Sequence, residues 1–97
     1  SGYDAKGVYT IKGFGNESCG TWIEERKKSN SQYTSGMMTW LSGFFSGYNV
    51  YVRGISNISK GLDWNGIVVW VDNYCAQHPL EDFSDAAQAL IRHVKNR

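Results

Sequence analysis

Apolar side chains recur at helical spacing through most of this chain, and each stretch of recurrence begins or ends at a recognisable signal. The first opens after Ser18, a side chain suited to capping a helix, and runs to Lys28. It sets Cys19, Trp22 and Ile23 inward and Glu24, Glu25, Arg26, Lys27 and Lys28 outward. Its acidic residues precede its basic ones, the order a helix dipole favours. The second carries Met37, Trp40, Leu41, Phe44, Tyr48, Tyr51 and Val52 on one stripe, with Ser35, Thr39, Ser42, Ser46 and Asn49 opposite. The third takes Asp63 as its cap, turns Ile67, Trp70, Val71, Tyr74 and Cys75 inward, and is stopped by Pro79. The fourth places Phe83, Ala86, Ala87, Leu90, Ile91 and Val94 on one face, with Asp82 or Ser84 near its start and Arg92, Lys95 and Arg97 near its end. The pattern predicts an all-α fold, a compact bundle of about four helices forming a single domain over residues 18–97.

Residues 1–17 depart from it. Val8–Gly15 is glycine-punctuated and β-prone, which predicts a short extended N-terminal arm or one short strand, lying across the helices or meeting a partner chain. A different question arises from Ser29 to Val52, where no residue is charged. The serines, threonines, Gln32 and Asn49 interrupt the continuous apolar stretch that a membrane span requires, so the segment reads as an amphipathic core helix with an uncharged outer face. Gly36, Gly43, Gly47 and Gly54 project to one flank of its stripe, and such an alignment predicts close approach of another backbone, Gly54 excepted as the helix end. Residues 53–63 form the longest connection and the best candidate for a functional loop.

Composition adds the compartment. Cys19 and Cys75 are the only two cysteines in 97 residues, and both fall on apolar helix faces. A disulfide between them would join the two halves of a small domain and place it outside the reducing cytosol, periplasmic or secreted. In the chain-entropy model that closure stabilises the fold by about 4 kcal/mol. Two other readings stand beside it: two separate buried thiols, or a Cys2His2 zinc site drawing on His78 and His93, whose ligand spacing is poor. The opening Ser1-Gly2-Tyr3-Asp4 fits a processed or truncated chain. The Asn-x-Ser sequences at Asn16 and Asn57 read as loop residues.

The formal charge of +1 gives no electrostatic case for nucleic acid or acidic lipid. No Gly-x-Ser-x-Gly elbow, His-Glu-x-x-His pair or phosphate loop occurs, so the chain reads as non-enzymatic, with no catalytic residue, cofactor or metal assigned. His78 before Pro79 reads as a helix-end residue, and Asp72 as a solvated carboxylate on an outer face. The fourteen aromatic residues exceed what a minimal bundle needs and leave anchors for a protein partner. Tyr48, Tyr51 and Arg53, beside the 53–63 loop with Trp64 and Asn65, are the candidates for that contact.

The block Trp40-Leu-Ser-Gly-Phe-Phe-Ser-Gly-Tyr-Asn49, then Gly66-Ile67, then Val71-Asp-Asn-Tyr-Cys-Ala-Gln-His-Pro79, then the Ala86–Val94 helix resembles small exported bacterial helical proteins of the HdeA-like group. The order is similar to that of the Tai-type immunity proteins of type VI secretion. The resemblance covers roughly residues 18–95; the glycine-rich arm is foreign to the HdeA pattern. It implies a single disulfide between an early and a later helix, which maps onto Cys19 and Cys75. The immunity resemblance implies a rigid periplasmic binder that plugs or masks a partner such as a cell-wall hydrolase. The HdeA resemblance implies an acid-activated periplasmic chaperone, a possible homodimer whose opening in acid exposes the Met37–Val52 stripe to unfolding clients. With only nine carboxylates to protonate, the binder is the preferred expectation.

Overall fold

The computed structural model describes residues 5–96. A 3-10 turn, Gly13–Asn16, precedes four helices: α1 (Cys19–Arg26), α2 (Gln32–Tyr51), α3 (Trp64–Gln77) and α4 (Phe83–Lys95). The all-α expectation is met, and no strand occurs among the described residues. Arg97, expected at the end of α4, and residues 1–4 of the arm lie outside them.

Each helix starts where a side chain can accept an otherwise unpaired amide. Ser18 accepts from the Thr21 amide at 3.0 Å, Ser31 from Thr34 at 3.2 Å and Asp63 from Gly66 at 2.7 Å. At α4 the Asp85 carboxylate accepts from the Asp82 amide at 3.0 Å. Asn30, with φ 58°, takes the left-handed turn between α1 and α2, a conformation asparagine tolerates.

α1 and α3 pack against each other in antiparallel fashion and carry two fasteners one turn apart. Cys19, the first residue of α1, is disulfide-bonded to Cys75 near the end of α3, with Cα atoms 4.7 Å apart. Farther along the seam Asp72 accepts from the indole N–H of Trp22 at 2.7 Å and from Arg26 Nε and Nη2 at 3.0 and 2.9 Å. Asp72 is therefore a buttress between helices and not the solvated carboxylate expected from its place on the sequence. Trp22 is fully buried, and a buried N–H without an acceptor costs about 1–3 kcal/mol. The bond to Asp72 is also the main reason that Arg26 is held more firmly protonated than an ordinary arginine.

The core forms where α1, α2, α3 and α4 converge, around Trp22, Phe83, Met37, Leu41, Leu90 and Val71. Phe83 lies 5.0 Å from the Trp22 ring and 5.9 Å from Trp40. The segments leading into α1 and α4 pair at one antiparallel bridge: Cys19 N–H donates to Glu81 O and Phe83 N–H to Glu17 O, both at 2.7 Å. This bridge sits beside the disulfide and binds α4 to the α1–α3 pair.

The arm does lie across the helices, but as a coil that closes into the 3-10 turn. The turn packs on α2 and α4. Trp40 donates its indole N–H to Lys12 O at 2.9 Å, and its ring covers Gly15 so closely that a Cβ there would overlap it. Phe14 occupies the equivalent space over Gly36. Gly36 thus admits a side chain from the arm, whereas Gly43 and Gly47 face open space and Gly54 lies past the helix with φ +84°. The expected backbone approach along the glycine flank does not occur, because the arm crosses α2 only at its first half.

Two predictions follow from this packing. The native protein should show no thiol reactive with a disulfide-exchange reagent and two after reduction under denaturant; Cys19→Ser with Cys75→Ser should lower unfolding free energy by about 4 kcal/mol. Gly43→Ala and Gly47→Ala should each raise stability by about 0.5–1 kcal/mol. Gly15→Ala and Gly36→Ala should lower it by about 1–3 kcal/mol through overpacking, read from urea unfolding curves.

Candidate binding surfaces

The expected contact residues divide between packing and exposure. Tyr48 is half-buried and packs against the core. Tyr51, placed on the apolar stripe by the sequence pattern, is instead 88 % exposed, and Val50 beside it is 71 % exposed. The correction has a physical cause. α2 ends at Tyr51 and the chain turns away at Val52, so Val50 and Tyr51 stand on the uncovered side of a last turn whose Tyr48 and Asn49 are half-buried. The inward places are taken by Met37, Leu41 and Phe45, the last of which the stripe omitted. Arg53 and Asn65 are exposed, and Trp64, the first residue of α3, is 39 % exposed.

The connection from Val52 to Asp63 is fastened to the body. Ile58 is buried in the core and Leu62 packs against it. Asn49, expected on the outer face of α2, is half-buried and accepts the Ile58 amide at 2.7 Å. Successive turns close through Ile55 N–H to Val52 O, Lys60 N–H to Asn57 O and Leu62 N–H to Ser59 O. Asn57 Oδ1 accepts from the amide of Ser59 at 3.2 Å. The loop therefore holds the end of α2, with Tyr51 and Arg53, in a defined position.

A second surface follows α3. Trp70, Tyr74 and His78 recur every fourth residue, and their rings stack: Trp70 on Tyr74 with centroids 5.5 Å apart, Tyr74 on His78 at 4.3 Å. Trp70 and Tyr74 were expected inward; they are half-buried, and Val68 fills the core position instead. The Tyr74 hydroxyl donates to Glu81 Oε1 at 2.6 Å, while Glu81 Oε2 lies 3.0 Å from His78 Nδ1. Burial, and secondarily the hydrogen bond to Glu81, pushes the Tyr74 phenol up to about 12. The four-residue spacing of these rings is legible in the sequence and was the signal that could have marked the surface.

With both sulfurs joined in the disulfide, the Cys2His2 alternative lacks its thiolates. His78 instead caps α3 and meets Glu81, and His93 packs on Trp70 at 5.5 Å. No group of three or more metal-ligating side chains occurs among the described residues, and no helix there is long and apolar enough to cross a membrane.

Because folding favours the neutral phenol of Tyr74, its contribution to stability is complete below about pH 10 and is lost as pH rises toward about 12. Absorbance titration of the native protein should therefore show one tyrosine ionising last, a step that Tyr74→Phe removes. The chain matches no protein-family model, no curated protein and no solved structure.

Proposed function

We propose that this domain is a non-enzymatic, exported binder of another protein, acting as an inhibitor or immunity-type mask of a cell-envelope enzyme such as a cell-wall hydrolase. The observation that carries the reading is Tyr51, 88 % exposed on a helix end that the Asn49–Ile58 bond holds in place. An aromatic side chain presented on a rigid support loses little conformational freedom on docking, and tyrosine and arginine supply most of the binding energy in such contacts. Val50, Arg53 and the exposed edge of Trp64 supply further contact area. Export is supported by the Cys19–Cys75 bond, which persists in oxidising compartments.

An acid-activated chaperone is the second reading, and carboxylate fasteners favour it. Asp72 ties α1 to α3, and Glu25 ties the end of α1 to Lys28 at 2.6 Å and to Ser31 at 2.7 Å. The Lys28 hydrogen bond, followed by that from Ser31, holds the Glu25 carboxyl below the usual range. Its contribution to stability is therefore present above the ordinary glutamate pKa and lost as pH falls through the lowered one. Full protonation of the nine carboxylates and both histidines carries the formal charge from +1 to about +12, while the disulfide retains the α1–α3 link.

Immobilised protein at neutral pH should retain an envelope hydrolase from periplasmic extract and inhibit its activity. Tyr51→Ala with Arg53→Ala should weaken that capture by about tenfold or more, as expected for central aromatic and arginine contacts. Capture that is absent, or indifferent to both substitutions, would overturn the binder reading. At about pH 2–3 a folded species that leaves client aggregation unchanged would exclude the chaperone.

A further inference from the structure

We propose that the groove between α3 and the C-terminal half of α4 is a second binding site, one that takes an acidic segment of a partner protein presenting a carboxylate beside an aromatic or aliphatic side chain. The assignment rests on the reading of the domain as a protein binder and adds a face and a ligand chemistry to it. An open cavity of about 670 Å³ lies there, lined by Trp70, Tyr74, Ala89, Arg92, His93 and Asn96. Its floor is aromatic: Trp70 stacks on Tyr74 and meets the His93 ring at 5.5 Å and 37°. Ala89 contributes only a methyl group, which leaves room for an incoming side chain.

Hydrogen-bond bookkeeping sets the sign of the ligand. The indole N–H groups of Trp22 and Trp40 both have acceptors, Asp72 and Lys12 O. That of Trp70 has none among the described residues, and neither the Arg92 guanidinium nor the Asn96 amide donates to any of them. The groove therefore holds a surplus of donors, including a fixed positive charge, and a ligand must bring acceptors. A carboxylate matches the guanidinium fork in two parallel bonds. The nearest acidic groups are already engaged: Asp72, on α3, holds Trp22 and Arg26. Glu81, in the connection between the helices, takes the Tyr74 hydroxyl and His78; Asp85, which with Glu81 acts on the Tyr74 phenol, accepts the Asp82 amide seven residues, or about 10 Å of helix rise, before Arg92. Arg92, in the last turn of α4, supplies the positive charge at that end of the groove. A formal charge of only +1 over the whole chain makes an extended polyanion a poor match and favours a short acidic segment with an apolar body.

The blocked tripeptide acetyl-Asp-Phe-Asp-amide is the probe, with acetyl-Lys-Phe-Lys-amide as its control, followed by nitrogen-15 NMR of the intact chain. The acidic peptide should shift the Trp70 indole and the backbone amides of residues 89–96 saturably, and its affinity should fall as salt is raised. Arg92→Glu, an exposed substitution, should reduce that affinity at least tenfold while leaving the rest of the spectrum in place. Arg92→Lys should retain part of it. Shifts that fail to saturate, that appear equally with the lysine peptide, that survive Arg92→Glu, or that inorganic phosphate reproduces would overturn the assignment. The two proposals separate cleanly: Tyr51-dependent capture of a partner without tripeptide binding removes the groove alone. Saturable tripeptide binding without any such capture overturns the inhibitor reading and leaves the groove as an acidic-peptide site.

Discussion

The seam between α1 and α3 is the constraint on which the other contacts depend. α1 is only eight residues long, well below the length at which an isolated helix holds in water. It is helical because both of its ends are tied: Cys19 covalently to Cys75, and Trp22 with Arg26 to a single carboxylate on α3. The covalent bond fixes the register, and Asp72 then fixes the rotation of α1 about its axis. Once the seam is set, Trp22 faces Phe83, and α4 enters beside it through the short bridge at Ser18 and Asp82.

The helices were legible in the sequence because the information that specifies them is local. Ser18 and Asp63 cap the helices that their positions announce, Pro79 ends α3, and the six apolar residues expected on one face of α4 all pack into or against the core. What could not be read was how far each helix is covered. Tyr51 continues the apolar spacing of α2 yet stands in solvent, because periodicity describes an angle around a helix and not where its neighbours stop. Asp72 illustrates the converse. It is polar at an outward angle, and its role arises only from Trp22 and Arg26, some fifty residues away in sequence.

The glycines of α2 follow the same logic. Their alignment is real as a sequence pattern, but Gly36 alone is met, by Phe14, while Gly43 and Gly47 remain open. The arm uses two reciprocal fits, a ring from the arm over a helix glycine and a helix ring over an arm glycine, Phe14 over Gly36 and Trp40 over Gly15. These fits give a segment without regular pairing a defined seat, and they finish the wall of the core beside Phe83. The candidate contact residues lie elsewhere, on a helix end and along a ring ladder, where packing is complete beneath but not above.

The position of the disulfide along the chain has a topological consequence. With Cys19 and Cys75 joined, the oxidised polypeptide is a closed ring containing α1, α2, the long loop and most of α3, from which the arm and α4 extend as two branches. α4 supplies a large part of the buried surface, yet no covalent link holds it to the ring except the chain itself. Unfolding in an oxidising compartment is therefore the departure of branches from a tethered loop, and refolding begins from a chain in which a connection spanning 56 residues is already made.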